Sequence, residues 1–192
     1  MFLDEIFPTP IWGFDLDLDV DSIKYWCYSC MKENPGRVIS NVGGWQSEDF
    51  REFGNTPLTE LVLFIVKESH NIAKDLGIPK DDRWIDNLWI NINPKFSYNQ
   101  VHIHPQAKLS GVYYVAAPPN SGNLCFTRSG AYSLGTVAPE LTRYSNAEWC
   151  YPPQQNRLII FPAWQEHHVK ANLSDHDLSL IHISEPTRQA EI

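Results

Sequence analysis

Ile23, Trp26, Cys27, Cys30 and Met31 recur at i, i+3, i+4, i+7 and i+8, one face of an amphipathic helix. The pattern predicts a first helix over residues 21–33, stopped by Pro35 and Gly36. A second helix is predicted from near Pro57, where proline suits the first helical position, to Gly77, where glycine ends it. Its apolar face is Leu58, Leu61, Val62, Ile65, Ile72, Ala73 and Leu76. Before both helices, residues 1–19 read as extended chain, because Phe7-Pro8-Thr9-Pro10 disfavours helix. Between them lies a loop with Ser40, Asn41, Gly43, Gly44 and Trp45, residue types that tolerate unusual backbone angles.

From Trp84 onward the period changes to two, and turn signals such as Pro118-Pro119-Asn120-Ser121-Gly122 and Pro152-Pro153 separate short runs rich in Val, Ile, Tyr and Phe. Helices first and antiparallel strands afterwards predict an α+β fold. Its β part is expected to be a jelly roll, a double-stranded β-helix with the N-terminal helices packed on one sheet. A chain of 192 residues with 43% hydrophobic content can bury a core without disulfides, and one domain over residues 1–177 is expected.

Fifteen Lys+Arg against 23 Asp+Glu give a net charge of -8, the wrong sign for a protein that neutralises phosphates, so nucleic acid is not an expected partner. No apolar run approaches a membrane span and the N-terminus lacks the basic start of a signal peptide, so a cytoplasmic protein without a membrane partner is expected. Cys27 and Cys30 form a C-x-x-C, but both fall on the apolar helix face, which favours burial over redox chemistry.

Histidine changes the picture. In Val101-His102-Ile103-His104-Pro105 two histidines stand two apart, and on a strand they project from one face within reach of one ion. A third comes about sixty residues later, where Arg157-Leu158-Ile159-Ile160-Phe161-Pro162 reads as a buried strand leading to His167-His168-Val169. Residue parity selects His167 and turns His168 the other way. Three donors on one side of a metal leave the opposite positions open for a co-substrate and oxygen, the arrangement used by non-haem iron oxygenases. In Leu88-Trp89-Ile90-Asn91-Ile92-Asn93 one face is apolar and the other presents amides. Parity aims Asn91, Asn93, Ser110 and Tyr114 toward the histidines, where amides, a hydroxyl and a phenol can bind a carboxylate.

These residues together resemble the 2-oxoglutarate and iron(II)-dependent oxygenases common in marine viral and bacterial genomes. The likeness runs from Phe7-Pro8-Thr9-Pro10 through Ser40-Asn41-x-Gly43-Gly44-Trp45-Gln46-Ser47 and His102-x-His104-Pro105-x3-Leu109-Ser110-Gly111-Val112-Tyr113-Tyr114 to Phe161-Pro162-Ala163-Trp164-x2-His167-x-Val169. It implies a dioxygenase that uses iron(II), 2-oxoglutarate and O2 and releases succinate and carbon dioxide. His102 and His167 correspond to the two histidines of the family's metal triad and would be catalytic. His104 stands where the wider superfamily usually has a carboxylate, and three roles stay open for it: third ligand, support behind the ligands, or substrate contact. Tyr114 takes the position where the prolyl-hydroxylase branch sets a tyrosine against the 2-oxoglutarate carboxylate. The substrate, whether a small molecule or a protein side chain, is not legible.

Two other readings use the same residues. One is a cupin-type metalloprotein with 2-oxoglutarate-independent chemistry, distinguished by whether 2-oxoglutarate is consumed. The other is a non-catalytic viral structural or interaction protein that closes a zinc site with the histidines, distinguished by whether a coordination position stays open. The likeness stops at Asp177. Residues 178–188, Leu-Ser-Leu-Ile-His-Ile-Ser-Glu-Pro-Thr-Arg, read as a translated sequencing adapter, so residues 178–192 are expected to be a non-native tail in place of the last strand. Family members have an arginine near position 178 that pairs with the distal carboxylate of 2-oxoglutarate, which a planar guanidinium suits.

Overall fold

A computed structural model describes residues 2–5, 7–78, 85, 87–105, 107–128, 140 and 142–186; Trp84, the expected start of the β half, and residues 187–192 of the tail lie outside them. The first helix, α1 (Val20–Glu33), starts where Asp19 caps it by accepting a hydrogen bond from the Ser22 backbone at 3.1 Å. It buries Ile23 and Cys27, while Cys30 is half-buried, and both thiols are free. Burial pushes the Cys27 thiol well up from its ordinary value, which leaves it an inert packing group. The second helix, α2 (Thr59–Asp75), buries Leu61, Ile65, Ile72 and Ala73, and Leu58 packs just before it. Leu76 lies beyond its last turn and is exposed, because Gly77 takes a left-handed conformation that ends the helix.

Eleven strands among the described residues form two antiparallel sheets. They are β1 (Trp12–Asp15), β2 (Asn41–Val42), β3 (Trp45–Gln46), β4 (Asn87–Asn93), β5 (Tyr98–His102), β6 (Ala107–Ala116), β7 (Leu124–Thr127), β8 (Glu148–Tyr151), β9 (Arg157–Pro162), β10 (His167–Val169) and β11 (Leu178–Pro186). The larger sheet runs β1-β9-β6-β11-β4-β3 and the smaller β2-β5-β10-β7-β8. The helices pack on the outer face of the larger sheet, where Leu88, Ile90, Ile92, Tyr113, Val115, Leu158, Ile160, Ile181 and Ile183 join Ile23, Leu61 and Ile65 in one core. A second core, with Val112, Tyr114, Leu124, Phe126, Phe161, Val169, Leu178 and Leu180, lies on the inner faces between the sheets.

The turn between β2 and β3 joins the two sheets at one end, since β2 pairs with β5 and β3 with β4. Asn41 folds this turn by donating to the carbonyls of Gly44 at 2.8 Å and Arg37 at 3.2 Å. A side chain at Gly44 would collide with Asn93 Oδ1, so close approach requires glycine there. Asn93 in turn donates to Asn99 Oδ1 at 2.8 Å, a hydrogen bond from sheet to sheet.

The adapter-like segment takes a central place. β11 lies between β4 and β6, with Leu178 opposite Asn93, Leu180 opposite Asn91 and Tyr114, and His182 opposite Trp89 and Val112. Its alternation turns Leu178 and Leu180 inward and Ile181 and Ile183 toward the helices. One feature was not visible in the sequence: Cys125 and Cys150, directly opposed on β7 and β8, form a disulfide, although the core was expected to close without one.

Candidate metal centre and co-substrate pocket

His102 ends β5 and His167 begins β10, and the two are direct register partners. His104 was expected on the same strand face as His102. Instead it follows the strand in a turn, its backbone N–H donating to Ala163 O at 2.9 Å and its carbonyl accepting from Ala107 at 3.1 Å. This anchoring to the segment between β9 and β10 swings the His104 ring back over the other two. Ring centroids are 5.1 Å apart for His102–His104, 4.3 Å for His102–His167 and 5.0 Å for His104–His167. One donor nitrogen from each ring lies within 4.8 Å of the others.

The backbone fixes two of the tautomers. His102 Nδ1 lies 2.7 Å from Gln100 O, and His167 Nδ1 lies 2.8 Å from Gln165 O. A carbonyl only accepts, so each Nδ1 carries the proton and each Nε2 keeps its lone pair for an ion. His104 Nε2 is 3.3 Å from His167 Nε2. Two nitrogens each about 2.1 Å from one ion are separated by roughly 3.0 to 3.4 Å, so the spacing fits a shared metal.

Electrostatics favour the neutral, ligating form. Burial lowers the His102 pKa, with His168 adding to the effect. Burial and then the neighbouring His102 bring His104 down to about 4, and burial with the other imidazoles brings His167 down to about 2. At neutral pH all three are unprotonated donors. His168, as parity required, faces the other side of its strand and contacts Glu148 at 3.2 Å.

The inner face beside the histidines is built by rows running across the strands of the larger sheet. In one row Trp89 stacks on His182 at 5.2 Å and lies 5.5 Å from the His104 ring. In the next, Gln46, Asn91, Leu180 and Tyr114 are side-by-side register partners. Beyond it stand Asn93 and Leu178. Both polar atoms of Asn91, Asn93 Oδ1, Gln46 Oε1, the Tyr114 hydroxyl and both His182 ring nitrogens are buried without a hydrogen-bond partner. Each buried orphan costs about 1 to 3 kcal/mol, so this cluster on one inner face calls for a polar partner, a ligand or bound water. Ser110 shares that face, but its hydroxyl donates to Ile183 O at 2.9 Å and holds β6 to β11.

Sequence reasoning did not single out Gln46, Asn99 or His182. Gln46 sits in a two-residue strand too short to show periodicity, and Asn99 precedes the histidines on a strand read only at its end. His182 falls in the adapter-like segment. Its pKa is held well below the ordinary value by burial and then by His102, His104 and His167.

Residues 87–180 match the family described as "Putative 2OG-Fe(II) oxygenase". Over this segment, just under half of its length, the chain is similar to that family. Its members are enzymes that use iron(II), 2-oxoglutarate and O2, and the histidine cluster has the donor set to hold the metal. No curated protein matches the chain. Among solved structures it resembles a prolyl-4-hydroxylase of Pseudomonas putida, with a TM-score of 0.64 and 12% identity over 92% of each chain. It also resembles the viral collagen prolyl hydroxylase of Paramecium bursaria Chlorella virus-1 in its 2OG complex, with a TM-score of 0.59 and 12% identity over 92% of this chain and 96% of that one. A third is HygX of Streptomyces hygroscopicus with nickel and 2-oxoglutarate bound, with a TM-score of 0.60 and 8% identity over 94% and 84%. At these identities the likeness shows a shared fold.

Proposed function

We propose that this chain is a 2OG-Fe(II) oxygenase with a double-stranded β-helix fold in which His102, His104 and His167 hold iron(II), and that it hydroxylates a peptide or small molecule. The carrying observation is the convergence of three neutral imidazoles, two with their Nε2 lone pairs freed by backbone carbonyls, beside a row of unpartnered buried polar atoms. When bound, iron(II) and 2-oxoglutarate supply the oxidising power that places an oxygen atom of O2 in the substrate, with succinate and carbon dioxide as by-products.

The chain's own residues position the co-substrate. Tyr114 donates its hydroxyl to a 2-oxoglutarate carboxylate, and Asn91 and Gln46 contribute amides from the neighbouring strands. Asn93, tied to Asn99, closes the far end of the pocket. Ser110 acts only indirectly, by clasping β6 to β11. Burial protects the site from bulk water, with Asn91, Asn93, Tyr114 and His167 all fully enclosed. A 2-oxoglutarate-independent reaction on the same metal finds less support, because it leaves the orphaned polar row without a ligand.

The fit to 2-oxoglutarate lacks one part. Among the described residues, no buried Lys or Arg lies on the inner face, and Leu178 and Leu180 are apolar neighbours of Asn93 and Asn91. A buried dianion without a cation carries a heavy desolvation penalty. This supports reading residues 178–192 as a non-native replacement for a strand that had an arginine at about position 178. Succinate release with iron(II), ascorbate and 2-oxoglutarate is expected to be weak for the chain as it stands, and Leu178→Arg is expected to tighten 2-oxoglutarate binding at least tenfold. Tight binding by the unaltered chain would show that no arginine is needed there.

A further inference from the structure

The face of the smaller sheet turned away from the histidines carries a second group of metal-binding side chains. On β7, β8 and β10, the residues Leu124, Phe126, Tyr151 and Val169 face the inner core. Alternation therefore turns Cys125, Glu148, Cys150 and His168 to the other side. Register sets Cys125 directly between Cys150 and His168. One Glu148 oxygen lies 3.2 Å from His168 Nε2, and the other lies 3.1 Å from Cys150 Sγ and 2.6 Å from Lys170 Nζ. The two sulfurs and a Glu148 oxygen all fall within 4.8 Å of one another, and His168 stands just outside that trio, against the Glu148 carboxylate. His168 Nδ1 is buried with no hydrogen-bond partner.

We propose that, when its sulfurs are reduced, this cluster is a second metal site, for a zinc-class divalent cation held by Cys125, Cys150 and Glu148, with the adjoining His168 turning in as the fourth ligand. The ligand types decide the class. Two thiolates, one imidazole and one carboxylate are the soft-to-borderline, four-donor set that tetrahedral zinc takes, whereas the inner site offers nitrogen alone. Charge balances as well. Two thiolates and the Glu148 carboxylate carry three negative charges, matched by the divalent ion and the Lys170 ammonium. With all four positions filled by protein the site is structural, joining the edge strand β8 across β7 to β10, the strand that begins with His167.

The disulfide and the metal are alternative states of the same two sulfurs. A phosphine reductant delivers two electrons to the S–S bond and leaves as its oxide, with oxygen taken from water. The two thiols so formed release their protons as the ion binds. A reducing compartment would favour the metal state and an oxidising one the disulfide.

The test is cobalt(II) loading of the whole chain, with and without a phosphine. The reduced protein is expected to take up two ions and to show a near-ultraviolet sulfur-to-cobalt charge-transfer band, which the inner site has no sulfur to produce. Cys150→Ser should lose that band and keep one cobalt. His168→Gln should shift the visible cobalt bands, and His102→Ala should retain the charge-transfer band while losing the inner ion. A reduced, folded chain without a sulfur-to-cobalt band would overturn the proposal. So would unfolding on reduction, followed by circular dichroism, because the sulfurs would then serve only as a staple. The sulfur-to-cobalt band does not depend on the oxygenase reading, which concerns the opposite face; the ion counts do.

Discussion

The two faces of the larger sheet are made by the same strands, one residue out of step, and they are built for different ends. On β4, Leu88, Ile90 and Ile92 meet the helices in a dry core, while Trp89, Asn91 and Asn93 turn inward beside the histidines. On β11, Ile181 and Ile183 pack outward while His182 stacks inward on Trp89. The outer face contributes apolar burial; the inner face holds polar atoms that the protein alone leaves unpaired. Among the described residues, the inner face gathers unpaired amide, phenol and imidazole atoms, whereas on the outer side only the small hydroxyls of Ser69 and Ser179 are buried without a partner.

The sharpest way to break this contrast is to exchange the effects of neighbouring positions. Ile90→Ala, on the outer face, is expected to destabilise by about 2 to 5 kcal/mol through the cavity it leaves, read as a shift in denaturant midpoint. Asn91→Leu, one residue away, is expected to leave the midpoint of the ligand-free protein unchanged or raise it by up to about 1 to 3 kcal/mol, because two unpaired atoms disappear, while 2-oxoglutarate binding is lost. Equal destabilisation by the two variants would mean that the inner amides are structural. A smaller effect is expected for Tyr114→Phe: a hydroxyl bonded to a carboxylate contributes about 1.5 to 3 kcal/mol, so the 2-oxoglutarate KM should rise roughly tenfold or more with iron affinity nearly unchanged. An unaltered KM would remove Tyr114 from the pocket.

A gentler probe is pH. The folded pKa values of His102, His104, His167 and His182 all lie below the unfolded value, chiefly through burial. Between those folded values and about 6.5 the unfolded chain binds more protons, so stability falls as pH drops below about 6.5. Each histidine contributes at most about 1.4 kcal/mol per pH unit in that window. The metal-free protein should therefore lose Tm between pH 7 and 5, and His167→Ala should flatten the profile. An unchanged slope would mean that His167 takes up protons alike in the folded and unfolded chains.

Much of the inner face was legible because strand alternation is local: the parity of Asn91, Asn93, Tyr114 and His167 followed from β-rich runs of ordinary length. Both helices were legible for the same reason, within one or two residues at each end. What escaped depended on distant partners. That His104 would leave its strand could not be read before its hydrogen bond to Ala163 was known. The hydroxyl of Ser110 was read as free for a ligand, yet it is bonded to a carbonyl 73 residues away. Cys125 and Cys150 are 25 residues apart with no spacing that signals a pair, and only the β7–β8 register brings them together. Gln46 was visible as a residue but not as part of the pocket, because a two-residue strand has no period.

The central claim, that three histidines on the inner face form one iron site, is tested most directly by anaerobic iron(II) titration of the intact chain, kept oxidised at its disulfide, alongside His102→Ala, His104→Ala and His167→Ala. The account predicts one iron per chain for the unaltered protein, none for His102→Ala or His167→Ala, and weakened binding for His104→Ala. Stoichiometric iron retained by the His102 or the His167 variant would contradict it.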